Sequence, residues 1–191
     1  VNELESLLAD LVSGDESRAE RSVSALLKLG EEALPALLDL TKSPNADSRW
    51  WALRALAIAP RAQTEWLIPF LEDPAPEVRQ CAALGLSEKA DEAAIQPLIR
   101  ALSDSHAMVG DLAAKALIRI GKPAVSTLIE AAQSESQTVR IYAVRALAEI
   151  RDHRAIPALM RASEEDSALL SHWAQIGLER LGLDMIYLKP V

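Results

Sequence analysis

The chain has 191 residues, a net charge of −8 and a pI near 5.0. Apolar residues make up 50% but aromatic ones only 4%, so the core is built from Ala, Leu, Ile and Val, which favours packed helices over a β-sandwich. The acidic balance and the lack of any basic run longer than two residues argue against a nucleic-acid partner. The lone Cys81 excludes an internal disulfide and suits a reducing compartment, and no apolar run approaches the roughly 18 residues of a membrane span. A cytoplasmic location without a membrane partner is therefore expected.

From the N-terminus, 2–12 predicts a first helix, with Leu4, Leu7, Leu8 and Leu11 on one face. A second helix follows over about 17–30 and ends at Gly30, where a left-handed stop suits glycine. Two kinds of segment then alternate. Apolar stretches at 33–40, 67–72, 95–102, 124–132 and 155–162 form one set, termed A. Four carry a proline at the matching place, Pro35, Pro69, Pro97 and Pro157, as the first turn of a helix tolerates. Asp91 and Asp152 stand ahead of two of these starts and can cap them. The other set, termed B, is predicted over about 48–58, 77–89, 107–120, 138–150 and 168–181, with Gly121 and Gly182 closing two of its members.

Aligning the B segments reveals a repeat of 30 or 31 residues. A small residue recurs as Ser22, Ala52, Ala82, Ala113, Ala143 and Ala174. Three places on stands Ala25, Ala55, Gly85, Ala116, Ala146 or Gly177, and the next residue is always Leu: Leu26, Leu56, Leu86, Leu117, Leu147 and Leu178. A single helix pair cannot bury its apolar faces, but stacked pairs can. Close stacking needs Ala or Gly where backbones approach and Leu where a gap is filled. The chain thus reads as one repeat domain over 1–191, with units at about 1–30, 31–59, 60–89, 90–121, 122–151 and 152–182, and 183–191 as a C-terminal tail or cap. The expected fold is all-α, a right-handed α-α superhelix of about six helix pairs. Its apolar end faces could stack into a homodimer.

The stretches AIQPLIRALSDSHAMVGDLAAKALIRIG (94–121) and TVRIYAVRALAEIRDHRAIPALMRA (138–162) resemble the HEAT-like repeats of the phycobilisome lyase type. That resemblance covers nearly all of the chain and is weaker before 48 and after 163. It implies an outer layer of A helices and a concave surface lined by B helices. It also implies that the Arg of a Val-Arg pair, present as Val78-Arg79 and Val139-Arg140 and kept as Arg49, pairs with an acidic residue of a neighbouring turn; Gly110 and Ser171 interrupt that series. Relatives of this type attach or detach bilin chromophores on phycobiliproteins, often as two-chain complexes.

Catalytic chemistry finds little support. His106, His153 and His172 form no His-x-x-x-His or His-Glu pair, so neither a metal nor the iron chemistry of the deoxyhypusine hydroxylases, another HEAT-repeat class, is expected. No nucleophile elbow or phosphate loop occurs. The acidic run 164–166 precedes a helix start and reads as a cap. Cys81 adjoins the packed Ala82 and reads as an inert thiol. No cofactor is expected.

The B helices carry two informative columns. Positions two before and two after the packed small residue point away from the core. They read Glu20 and Ser24, Trp50 and Arg54, Gln80 and Leu84, Asp111 and Lys115, Ile141 and Arg145, His172 and Ile176. This mixed stripe suits a protein or peptide partner, for which Trp50, Arg54, Gln80, Asp111, Lys115, Ile141, Arg145 and His172 are the candidate contacts. One place before the small residue stand Arg21, Trp51, Cys81, Leu112, Tyr142 and Trp173. Large groups there suggest a layer wedged between successive B helices, with Trp51, Tyr142 and Trp173 as flank contacts. The leading expectation is a non-enzymatic scaffold that binds a protein or peptide on the B-helix surface. The alternative is a bilin-lyase-like or phycobiliprotein-chaperone subunit. There a tetrapyrrole would stack on Trp50, Trp51, Tyr142 or Trp173, with Arg54 or Arg145 on its propionates.

Overall fold

A computed structural model describes residues 3–183. The stretch 184–191, most of the expected tail or cap, lies outside the described residues. Regular structure among the described residues is helical throughout. Eleven α-helices run in chain order: α1 (Glu3–Leu11), α2 (Glu16–Leu29), α3 (Leu34–Leu40), α4 (Ala46–Ile58), α5 (Pro76–Lys89), α6 (Ile95–Ala101), α7 (Ala107–Ile120), α8 (Val125–Ala131), α9 (Gln137–Ile150), α10 (Ile156–Ser163) and α11 (Ala168–Arg180). The B series is α2, α4, α5, α7, α9 and α11. Short 3-10 turns lead into α3, α6, α8 and α10.

The A segment at 67–72 departs from the expected helix. It forms only two 3-10 turns, Thr64–Trp66 and Ile68–Glu72. Pro60 is one cause: the residue before a proline is driven out of the helical region, and Ala59 stands at φ −71°, ψ 125°. The chain then spends residues 60–63 on a connection. Only five residues remain before Asp73 turns extended, too few for a run of i→i+4 bonds past Pro69.

Two compact units divide the chain, one up to Lys89 and the other from Ala90. In the first, α1 packs on α2, α3 on α4 and the Ile68–Glu72 turn on α5, while α2 lies against α4 and α4 against α5. In the second, α6 packs on α7, α8 on α9 and α10 on α11, with α7 against α9 and α9 against α11. Each unit is a stack of three helix pairs, the HEAT-like solenoid arrangement.

The columns explain the stacking. All six column leucines are buried, each worth roughly 1.5–3 kcal/mol of transfer free energy. Ser22, Ala52, Ala82, Ala113, Ala143 and Ala174 are buried too. Glycine appears where the approach is closest. A Cβ on Gly85 would sit 2.7 Å from the Ala57 Cβ, and one on Gly177 would sit 3.0 Å from both the Cα and the Cβ of Ala148. Gly30 and Gly121 end α2 and α7 at φ +62° and +78°, which an L side chain rarely adopts. Asp91 and Asp152 cap 3-10 turns by accepting from the Ala93 and Arg154 N–H groups.

Candidate functional site

The turns that carry each A segment into its B helix set the N-terminal edge of the B layer. Arg49, Arg79 and Arg140 recur there with one geometry. Each guanidinium donates backwards to the carbonyls six and five residues earlier: Ser43 and Pro44, Asp73 and Pro74, Ser134 and Glu135. The arginine therefore staples its own turn. Arg49 also forms a two-pronged pair with Asp73, Nε to Oδ2 at 2.8 Å and Nη2 to Oδ1 at 2.7 Å, with side chains only 12% and 5% exposed. Burial alone would raise the Asp73 carboxyl, but the Arg49 hydrogen bond, the Ala75 N–H and the charges of Arg49 and Arg79 outweigh it and hold it below the ordinary range. Arg140 reaches Glu165 at 3.3 Å. The acidic run 164–166 thus supplies an ion-pair partner for the previous repeat, and Ser167, not an acidic side chain, stands at the N-cap of α11. Gly110, where the arginine series breaks, is occupied differently. The Tyr142 ring lies over it, so that a Cβ there would come within 2.9 Å, and the Tyr142 hydroxyl donates to the Ala107 carbonyl at 3.1 Å.

The outward stripe proves to be paired across neighbouring helices. Arg54 on α4 reaches back to Glu20 on α2 at 3.3 Å, and Arg145 on α9 reaches Asp111 on α7 at 2.7 Å. Both pairs join positions 34 residues apart, the later position of one repeat to the earlier position of the repeat before. Lys115 shares Asp111 at 2.8 Å. Burial works against the Asp111 charge, yet the hydrogen bonds from Lys115 and Arg145 hold its carboxyl below the ordinary range. The three stripe cations, Arg54, Lys115 and Arg145, are therefore each engaged by a carboxylate. The Arg145 guanidinium also lies 5.6 Å from the Trp173 ring centroid, and Trp173 meets His172 edge-on. Ile141 and Gln80 are half-buried and His172 is exposed.

Trp50 and Trp51 are both half-buried and meet edge-to-face, ring centroids 4.7 Å apart. They line a 420 Å³ groove with Val12, Ser13, Gly14, Glu16, Asn45, Asp47 and Ser48. A second groove, 240 Å³, runs between α4 and α5 and is lined by Arg54, Ala57, Ile58, Cys81, Leu84, Gly85 and Glu88. Leu84 and Ile58 are 48% and 42% exposed at its edge. Cys81 is buried on the same helix pair, and burial pushes its thiol up to about 12 against a modest opposing pull from Arg54. It is no nucleophile at neutral pH. In the second unit Met108 and Leu169, at the N-terminal ends of α7 and α11, are 51% and 57% exposed. Among the described residues, no group of three or more His, Cys, Asp or Glu could hold a metal, and no helix is long and apolar enough to cross a membrane.

Val12, Glu16 and Asp47 lie outside both columns of the repeat. Val12 sits in a turn, outside any helical period. Asp47 carried a usable signal, since it stands three and four residues before Trp50 and Trp51 and so shares their helix face.

Comparison with known proteins places these features. The family model described as HEAT repeats matches residues 64–126 and 112–179. A phycobilisome maturation protein of Synechococcus elongatus is 33% identical over 101 residues, covering 52% of this chain and 49% of the relative. The bilin biosynthesis protein RpcF of Synechococcus sp. strain WH8020 is 40% identical over 72 residues, 37% of this chain and 34% of the relative. The chain thus spans about half or less of the length of the curated relatives it matches. Among solved structures, an archaeal HEAT-like repeat protein from Thermococcus onnurineus superposes with a TM-score of 0.65 at 14% identity, over 95% of this chain and 81% of that one. One chain in the structure of the CpcE–CpcF phycocyanin lyase complex of a Nostoc species gives 0.55 at 23% identity, over 95% of this chain and 78% of that one.

Proposed function

The chain belongs to the HEAT repeats family, with repeats of the phycobilisome-lyase type, and on that premise we propose that it is a lyase-related subunit that holds a phycobiliprotein during bilin attachment or maturation. The observation that carries this reading is the 33% and 40% identity to a phycobilisome maturation protein and to a bilin biosynthesis protein. It replaces the general scaffold as the leading reading and keeps the scaffold's contact surface, the outward side of the B helices. The contribution of this chain is binding. Trp50, Leu84 and Ile58 in the first unit and Met108, Ile141 and Leu169 in the second supply aromatic and apolar anchors. Arg54 and Arg145 are poor ligands for bilin propionates, because docking there would break the pairs with Glu20 and Asp111. The client is therefore the phycobiliprotein polypeptide, and any pigment contact is made within that complex.

The test mixes the chain with an apo-phycobiliprotein subunit and, separately, with phycocyanobilin. Co-elution in size-exclusion chromatography with the apo-subunit is expected, together with an unshifted pigment spectrum in the absence of the client. Leu84→Asp, at an exposed position, should weaken the complex at least tenfold while leaving the melting temperature in place. Absence of any complex at tens of micromolar, or a bilin spectrum that shifts without the client, would refute the reading.

A further inference from the structure

The second unit contains a completed three-part contact: the Asp111 carboxylate holds the Arg145 guanidinium at 2.7 Å, and that guanidinium lies 5.6 Å from the Trp173 ring. The first unit has the same ingredients with the cation missing. Trp50 and Trp51 stand edge-to-face beside Glu16 and Asp47 in one groove. Glu16 and Asp47 are exposed and pair with no cation among the described residues, whereas the stripe carboxylates Glu20 and Asp111 are engaged by Arg54, Arg145 and Lys115.

The helix ends nearby do not cancel this charge. Each helix N-terminus carries roughly half a positive charge. The free N–H groups of α2 and α4 are partly met by Asp15, which accepts from Arg18, and by Asn45, which accepts from Ser48. The two lining carboxylates, Glu16 and Asp47, outweigh two such half-charges, so the groove stays anionic. Val12, 41% exposed, adds an apolar edge. A planar cation suits this site better than a compact ammonium. It can lie on an indole face and donate two parallel N–H hydrogen bonds from its edge to a carboxylate.

We infer that the Trp50–Trp51 groove receives an arginine side chain from an extended segment of the partner protein, with a neighbouring apolar residue of that segment against Val12. The inference rests on the protein-binding reading above and names the chemistry of one contact within it. The site requires no covalent step and no change in the fold.

The four tryptophans provide a direct readout. The ¹⁵N-labelled chain is titrated with acetyl-Leu-Arg-Leu-Arg-amide while the indole N–H resonances are followed, assigned by single Trp→Phe variants. Saturable shifts of the Trp50 and Trp51 signals are expected, with Trp66 and Trp173 unmoved. The same peptide with citrulline for arginine, equal in shape but uncharged, should bind at least tenfold more weakly. So should the arginine peptide to a Glu16→Gln/Asp47→Asn chain whose other resonances stay in place. Equal binding of the citrulline peptide, preference for a glutamate peptide, shifts confined to Trp173, or no shift at millimolar peptide would each overturn the assignment. Peptide binding needs no phycobiliprotein. A chain that binds the peptide but no apo-phycobiliprotein refutes the function proposed above and leaves the groove; one that binds the client with an unresponsive groove does the reverse.

Discussion

Asp73→Asn tests the staple that holds the edge on which Trp50 sits. Arg49, the residue before Trp50, donates two hydrogen bonds to Asp73 and two more to the Ser43 and Pro44 carbonyls. Asparagine keeps the acceptor for the Ala75 N–H, 2.9 Å away in the native turn, but removes the charge opposite Arg49. Removing one partner of a buried pair typically costs about 3–5 kcal/mol, because the other charge stays desolvated. The retained acceptor and the 12% exposure of Arg49 place this change at the lower end, about 3 kcal/mol. For a chain of this size that corresponds to a fall of roughly 6–12 °C in melting temperature. The assay is urea unfolding followed by circular dichroism at pH 7, reading the earliest transition, since stacked repeats can unfold in steps. Adding Arg49→Met to Asp73→Asn should recover part of the loss, as the stranded cation is gone. The pH dependence carries a definite sign. The folded Asp73 carboxyl lies below its ordinary 3.8, so its contribution is complete well above pH 3.8 and is lost as pH falls through the folded value. The variant should therefore show a shallower acid limb. An Asp73→Asn chain within about 0.5 kcal/mol of the parent, the scale of an ordinary surface change, would refute this account.

The remaining predictions concern packing and reactivity. Gly85→Ala gains about 1 kcal/mol of helix propensity but forces a Cβ to 2.7 Å from Ala57, an overpacking cost of about 1–3 kcal/mol. A net loss near 1 kcal/mol is expected, and the exchange Ala57→Gly/Gly85→Ala should return the urea midpoint to the parent value. Cys81, with its thiol pushed up to about 12 by burial, should resist Ellman's reagent at pH 8 in the folded chain and react fully in guanidinium. Tyr142→Phe removes one hydrogen bond, to the Ala107 carbonyl, and should cost about 1 kcal/mol. Gly110→Ala drives a Cβ into the Tyr142 ring and within 3.3 Å of the Leu102 carbonyl, so it should destabilise more than Tyr142→Phe in thermal melts of the two variants.

The repeat was legible because stacking imposes it locally. Every B helix must present a small residue, a second small residue and a leucine to its neighbours, and that demand recurs at a fixed spacing. The B helices, the glycine stops after α2 and α7 and the aspartate caps at Asp91 and Asp152 follow from the same local chemistry. The 3-10 character of 64–72 was less visible: its apolar pattern matches the other A segments, and only Pro60 betrays the lost residues.

Charge pairing was decided by the tertiary structure. Glu20 and Arg54, like Asp111 and Arg145, sit in columns readable from sequence, but which position meets which depends on how far one helix slides along the next. That offset is set by leucine and glycine packing several residues away, and no helical wheel contains it. The same offset pairs Arg54, Lys115 and Arg145 with carboxylates, and places Glu16 on α2 in one groove with Trp50, Trp51 and Asp47 on α4. The sequence by itself determined that helices would stack and which faces would be buried, because burial follows local periodicity. Only the tertiary structure decided which charges pair within the chain, because a pair forms across a distance that the packing of other residues sets.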